Sequence, residues 1–112
     1  MKKIEAIIQP GKCDEVVAAL EGSGYRGITV TEVQGHGKQK GITQNWLGRK
    51  IKIEMLPKMK LEMVVLDGEV EQIVRSVIAS AKTGRTGDGK IFVYPIEQAY
   101  RISSGEEGEA AL

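Results

Sequence analysis

Apolar residues follow two different periods along the chain, and these periods predict alternating strands and helices. Residues 2–9 alternate with a period of two, placing the apolar residues 4, 6 and 8 on one face, which is typical of a strand. Pro10-Gly11 ends that strand, and apolar residues then recur at positions 13, 16, 17 and 20, the stripe of an amphipathic helix. Glycines at 22 and 24 close the helix, and residues 26–35, rich in β-branched side chains, predict a second strand.

The strand and helix pattern occurs twice. Residues 3–8 (KIEAII) match residues 60–65 (KLEMVV) at an offset of 57 residues, and the same offset carries the helix stripe onto positions 70, 73, 74 and 77. A further pair of strand-like segments, 28–30 and 91–93, completes two β-α-β units. This order predicts an α+β protein of the ferredoxin-like βαββαβ type.

Three segments lie outside this plan. Residues 36–57 separate the second and third strands, where a turn of about two to five residues would be enough. Residues 83–90 (TGRTGDGK) separate the second helix from the last strand. The tail 103–112 (SSGEEGEAAL) is small and acidic, and we expect it to be mobile.

Composition narrows the function class. With 112 residues, 41% hydrophobic and 28% charged, the chain is long enough for one globular domain, and a net charge of +1 argues against binding nucleic acid through bulk charge. A lone cysteine, Cys13, excludes an intrachain disulfide, and a lone histidine, His36, argues against a catalytic triad or zinc cluster. No apolar run is long enough for a signal peptide or membrane span, so we expect a cytoplasmic protein. We find no nucleophile and base at a suitable spacing and expect no catalysis.

The glycine-rich segment 83–90 is the first candidate site. Gly84, Gly89 and Lys90 satisfy the spacing of a phosphate-binding P-loop, but Ile91 replaces the hydroxyl residue and the segment leads from helix to strand. It is therefore not a Walker A site. Its glycines can still turn backbone N–H groups toward an anion, with Arg85 and Lys90 adding charge; the alternative is a solvated turn.

The long insertion is the second candidate. Between residues 36 and 58 there are six cationic side chains against one carboxylate, Glu54. Its apolar residues, Trp46 among them, have no obvious face to pack on. The segment is either a solvated loop or a recognition arm that orders on a partner, and Trp46 favours the arm because tryptophan is common in binding hot spots.

The sequence resembles those of a known family, the PII signalling proteins. The resemblance is carried by the stretch TGRTGDGKIFV (83–93), the opening MKKIEAII, the GKQKG turn (37–41), the return at 56–58 and the ending GEEGE (105–109). It covers essentially the whole chain without gaps. It implies a compact homotrimer of ferredoxin-like subunits in which ATP and ADP compete for clefts between neighbours, with a long T-loop at about 37–55, the glycine-rich loop at 83–90 and a C-terminal segment at 101–112.

The resemblance also implies ligand sets. The nucleotide-binding set is Thr29, Lys38, Val64, Gly87, Asp88, Gly89, Lys90 and Arg101. The set for 2-oxoglutarate, which family members bind together with MgATP, is Gln39, Lys40, Gly41 and Lys58, with Gln39 also binding the magnesium ion. Metabolite state then sets the conformation of the T-loop, which docks on a membrane transporter or a metabolic enzyme through Trp46, Leu47, Arg49 and Ile51.

Five positions depart from the family pattern. Ile51 and Arg49 replace a modifiable tyrosine and serine, so neither covalent switch is expected. Leu47 replaces an arginine that enters an ammonium channel in many members. Ser103 and Gln9 replace basic residues near the ligands, which makes an adenylate-only energy sensor the main alternative.

Two further alternatives share the βαββαβ plan. An RNA-binding domain needs aromatic residues on the central strands, and IEAIIQ and KLEMVV have none. An acylphosphatase-like hydrolase needs an anion loop after the first strand, which Pro10-Gly11-Lys12 does not resemble. The sequence therefore favours a metabolite sensor that binds no nucleic acid.

Overall fold

The computed structural model describes residues 1–36, 45–46, 49–50 and 55–112. The strands and α-helices in these ranges are β1 (Lys2–Ile8), α1 (Cys13–Glu21), β2 (Thr29–Gly35), β3 (Asn45–Trp46), β4 (Arg49–Lys50), β5 (Leu56–Val65), α2 (Val70–Ala81) and β6 (Gly89–Pro95). Short 3-10 turns occupy Pro10–Lys12, Asp67–Glu69 and Gly108–Ala111.

Four strands form one antiparallel sheet in the order β2-β5-β1-β6. Strands β1 and β5, each followed by a helix, are the neighbours at the centre, so the two β-α-β units interleave. The prediction of an α+β βαββαβ arrangement is confirmed. The two remaining strands, β3 and β4, pair with each other as a separate ribbon within the predicted insertion.

Both helices cover one face of the sheet. Alternate residues of β1, namely Ile4, Ala6 and Ile8, are almost completely buried, as their period of two predicts. The remaining core side chains come from β5 (Leu61, Met63 and Val65), α1 (Val16 and Leu20) and α2 (Ile73, Val77 and Ala81). The helical stripes read from the sequence therefore do supply the core.

The opposite face of the sheet carries a ladder of charges. Glu62 lies 3.3 Å from the Lys3 ammonium and 3.4 Å from that of Lys60, which is also 3.8 Å from Glu5. The Tyr94 hydroxyl donates to Glu5 at 2.5 Å. Phe92 and Tyr94 are exposed on this face as well, because they are in register with Glu5 and Lys3. Neither α1 nor α2 covers this face. Val30 and Val93, also exposed, lie on the helix-covered face, since they are in register with the buried Leu61 and Ile4. Tyr100 and Ile102 are exposed beyond β6.

Two strand boundaries differ from the sequence prediction. Strand β2 begins at Thr29 rather than at residue 26, because the unpaired stretch before it includes Gly27, and glycine favours strands weakly. Strand β5 begins at Leu56, inside the segment assigned to the insertion, because Leu56 and Pro57 still pair with the end of β2.

The prediction of a mobile acidic tail is wrong. The chain turns back at Gly105 and Gly108, which adopt φ values of +74° and +66°, and Tyr100 pairs with Glu107. The Arg101 N–H donates to the Glu106 carbonyl at 2.9 Å. Positive-φ glycines and a short ladder therefore fold this segment in spite of its acidic composition.

Candidate functional site

The glycine-rich segment closes on itself through one carboxylate. Asp88 accepts hydrogen bonds from the Thr83 hydroxyl at 2.5 Å, the Thr83 N–H at 2.8 Å and the Gly84 N–H at 2.9 Å. These donors, the Thr83 hydroxyl first, hold the pKa of Asp88 below its usual value. Both of its carboxylate oxygens accept hydrogen bonds from the start of the loop, so Asp88 stabilises the conformation of the loop.

Glycine is required where this loop joins β6. Gly87 and Gly89 have φ values of +99° and +105°, which other residues rarely adopt. A Cβ atom on Gly89 would stand 1.7 Å from the Ile7 carbonyl oxygen. The backbone of Gly89 therefore lies directly against the end of β1, and Gly89 and Lys90 belong to the strand rather than to a free loop.

Two side chains from the sheet hold the loop at the Gly87 carbonyl. The Gln9 amide donates to this oxygen at 2.6 Å and the Lys58 ammonium donates at 2.7 Å. Lys58 is only 8% exposed, and it is the one buried charged or polar residue in the described ranges. Gln9, at the end of β1, and Lys58, near the start of β5, thus fix the loop to two neighbouring strands.

A cleft of about 660 Å³ opens beside this anchor. Its charged side chains are three cations and one carboxylate, namely Lys58, Arg85, Lys90 and Asp88. Gly35 and His36, at the end of β2, form another part of its wall, and Ile7 and Phe92 line it from β1 and β6. The excess of positive charge suits an anion, and Asp88 is already occupied by Thr83 and Gly84.

The predicted nucleotide-binding residues form two separate groups within one chain. Gly87, Asp88, Gly89 and Lys90 line the cleft. Lys90, Ile7 and Lys60 lie in one row across the sheet. Val64 lies four residues beyond Lys60, about 13 Å along β5 from that row. Thr29 lies on β2, which is three strands from β6, at about 14 Å.

Arg101 belongs to the distant group as well. Strand β6 runs from Gly89 at the cleft to Pro95, which pairs with Lys2 at the far end of the sheet, and the C-terminal segment continues from there. The Arg101 guanidinium donates to the Leu112 carbonyl at 2.9 Å and lies 3.8 Å from the Glu106 carboxylate. The fold thus does not bring Arg101, Thr29 or Val64 to the cleft of the same chain.

Several predicted residues lie outside the described ranges. They are Lys38, Gln39, Lys40, Gly41, Leu47 and Ile51. For Trp46 and Arg49 the structure gives only their backbone pairing with each other across the β3-β4 ribbon. The magnesium and most of the 2-oxoglutarate set therefore stay predictions, and Lys58 is the member whose position is known.

Sequence reasoning missed two features of the site. Gln9 was considered only as a lost cation, whereas its amide anchors Gly87 across 78 residues of sequence. His36 lines the cleft, whereas the sequence, which offers it as a possible ligand between Gly35 and Gly37, favours a structural or solvated role. Its place directly after a predicted strand and before the GKQKG turn was the one available signal.

The described part of the chain contains no group of three or more His, Cys, Asp or Glu side chains placed to hold a metal ion. None of its helices is long and apolar enough to cross a membrane.

Comparison with known proteins matches the chain to one family along nearly its full length. The family model described as Nitrogen regulatory protein P-II matches residues 1–106. Proteins named Nitrogen regulatory protein P-II from Rhodospirillum rubrum and Cereibacter sphaeroides are 53% and 50% identical to it over 112 residues, covering the whole of both chains in each case. Nitrogen regulatory protein P-II 2 from Methanothermobacter thermautotrophicus is 49% identical, over all of this chain and 97% of its own.

Proposed function

Because the chain belongs to the nitrogen regulatory protein P-II family, we propose that it is a non-enzymatic regulator that senses ATP, ADP and 2-oxoglutarate. It acts in the cytoplasm as a homotrimer, with the adenylates competing for clefts between subunits. Its insertion, residues 37–55, takes a conformation set by these ligands and controls a membrane transporter or an enzyme of nitrogen metabolism. Trp46, Leu47, Arg49 and Ile51 make the contacts with that partner.

The observation that carries the proposal is the cationic cleft beside the anchored glycine-rich loop. Lys58, Arg85 and Lys90 surround backbone that is held close to the sheet by Gly89. A polyphosphate offers several negative charges to such a set, and charge-assisted hydrogen bonds are the strong ones. Lys38 extends the same set in the proposal, and Gln39 holds magnesium between ATP and 2-oxoglutarate.

The separation of the predicted nucleotide ligands supports a site between subunits. Within one chain, Val64 lies about 13 Å along β5 from the row of Lys90, and Thr29 lies about 14 Å across the sheet from β6. A second copy can supply the distant group if its Thr29, Val64 and Arg101 face the cleft of the first. The exposed apolar residues on and beyond β6, such as Phe92 and Ile102, provide surface for that association.

The first test is Lys90→Ala, with Lys82→Ala as its control. Both lysines are exposed, but Lys82 lies outside the cleft. Loss of one charge-assisted contact predicts about 10- to 150-fold weaker ATP binding for Lys90→Ala. Calorimetry measures the affinity and light scattering the trimer, which both variants retain. Normal ATP binding by Lys90→Ala would disprove this placement of the phosphate site.

A mixing experiment tests the position between subunits. Lys90→Ala and Arg101→Ala chains, each defective alone, are co-expressed with different tags and the mixed trimers isolated. If Lys90 and Arg101 come from different subunits, each mixed trimer restores one of its three sites, about a third, to wild-type affinity. A site contained within one chain would give no restored sites, because every chain carries one defect.

The adenylate-only sensor is the second candidate, and one contact favours it. The Lys58 ammonium already donates to the Gly87 carbonyl, so a dicarboxylate must compete for it, and position 9 offers a neutral amide. Titration with MgATP and then with 2-oxoglutarate separates the candidates. Binding of 2-oxoglutarate only in the presence of MgATP supports the full proposal, and its failure to bind leaves an energy sensor.

A further inference from the structure

His36 stands where an anion in the cleft would meet it. It directly follows the last residue of β2, its side chain is exposed, and it lines the same cleft as Lys58, Arg85 and Lys90. It is also the single histidine of the chain. Imidazole is the one side chain that ordinarily changes its charge between about pH 5 and pH 8.

The charged groups around the cleft determine how this imidazole responds to a ligand. The other charged residues that line the cleft are Lys58 on β5, Arg85 and Asp88 on the glycine-rich loop, and Lys90 on β6. Asp88 is engaged by Thr83 and Gly84, so the charges that line the cleft are mainly positive. A bound polyphosphate reverses the sign of this surrounding.

We propose that His36 is a phosphate-binding residue of the cleft, whose imidazole takes up a proton when a nucleotide polyphosphate binds and then donates a hydrogen bond to it. This inference rests on the proposed nucleotide-binding function. It adds an imidazole to the lysines and the arginine that line the cleft. Nucleotide affinity therefore rises as the pH falls through the range in which His36 becomes protonated.

Proton NMR tests this directly, because the Cε1–H signal of a tag-free protein arises from one histidine. The titration midpoint of that signal is compared with and without saturating ATP. An opposite charge within about 4–6 Å moves such a midpoint up by about one pH unit or more. Inorganic tripolyphosphate serves as a second probe that lacks the base and ribose.

Calorimetry with His36→Gln supplies the matched control, since glutamine keeps a hydrogen-bond donor but does not titrate. The ratio of wild-type to variant ATP affinity is measured at about pH 6 and pH 8, where a one-unit shift predicts a ratio about sixfold larger at the lower pH. The titration of ATP itself affects both proteins equally and cancels in the comparison.

The outcomes separate this inference from the proposed function. A raised midpoint and a pH-dependent affinity ratio support the role of His36. ATP binding with an unchanged midpoint and a constant ratio overturns that role and leaves the nucleotide site intact. Failure of both ATP and tripolyphosphate to bind refutes the proposed site and the role of His36 together.

Discussion

Replacing Gly89 by alanine is expected to disrupt the cleft through the backbone alone. The added methyl carbon would stand 1.7 Å from the Ile7 carbonyl oxygen and 2.8 Å from its carbon. Gly89 also has a φ of +105°, where an alanine is strained. Since the nearest atoms belong to the backbone of β1, no side chain can rotate to make room.

The expected loss of stability follows from these two effects. A non-glycine residue at positive φ costs about 1–2 kcal/mol. Forcing extra volume into a packed position typically costs about 1–3 kcal/mol more. The free energy of unfolding should therefore fall by about 2–5 kcal/mol, a large part of the roughly 5–15 kcal/mol of an ordinary domain. Because β6 must move away from β1, Lys90 moves as well, and ATP binding weakens.

Two other glycines separate the contributions. Gly84→Ala meets no atom within 4 Å but has a φ of +85°, so it carries the backbone strain without the clash. Gly11→Ala has open space and no positive φ, and its stability should stay within about 1 kcal/mol of wild type.

Urea denaturation at one fixed protein concentration measures all three variants. The expected order of destabilisation is Gly89→Ala, then Gly84→Ala, then Gly11→Ala. A Gly89→Ala protein no less stable than Gly84→Ala would refute the inference that contact with Ile7 fixes this junction.

Two further substitutions test the anchors of the loop. Lys58→Met should change the free energy of unfolding by no more than about 1.5 kcal/mol, because Gln9 still donates to the Gly87 carbonyl. Calorimetry should show that the same variant binds 2-oxoglutarate at least about tenfold more weakly than wild type. Lys82→Met is the control, and an unchanged 2-oxoglutarate affinity of Lys58→Met would contradict the assignment of Lys58. For Asp88, hydrogen bonds from Thr83 and Gly84 hold the folded-state pKa below the usual value, so its stabilisation is present above about pH 4 and is lost as the pH falls through the lower, folded-state value. The excess thermal stability of wild type over Asp88→Asn should thus be constant from about pH 6 to 8 and should disappear in acid, whereas a margin that persists in acid would refute this role.

The parts of the fold that repeat or alternate could be predicted from the sequence. The repeat of KIEAII as KLEMVV, with helical stripes at a common offset, was enough to place both helices and the central strands β1 and β5. Burial produces these patterns directly, because one face of each element must be apolar. The start of α2 at Val70 agrees with the first position of the second apolar stripe, and the end of α1 at Glu21 agrees with the glycine that follows it.

The tail could not be predicted in this way, because its order does not come from burial. Residues 103–112 have few apolar groups, and turns at two glycines with backbone pairing to Tyr100 and Arg101 fold them instead. Composition reports how much apolar surface a segment can bury. It does not report hydrogen bonds that a neighbouring segment provides.

The candidate site was predictable in its loop but not in its anchors. The glycines and lysine of TGRTGDGK are adjacent in sequence, so their pattern is visible. The bonds from Gln9 and Lys58 to Gly87 cross 78 and 29 residues, and no local pattern marks them. The Gln9 and Lys58 side chains converge because the end of β1, the start of β5 and the start of β6 lie at the same end of the sheet.

At the same end of the sheet, the cleft is only a few residues from the insertion. His36 directly precedes residues 37–55 and Lys58 follows them by three residues, and both line the cleft. A ligand that draws the Lys58 ammonium away from the Gly87 carbonyl, or that binds His36, therefore acts at the two strand ends from which the insertion leaves. Coupling between two binding events is reciprocal, so a partner that favours one conformation of the insertion must change the nucleotide affinity by the same factor. In the proposed regulator, metabolite and partner thus influence each other through residues that flank the insertion, without a path through the core.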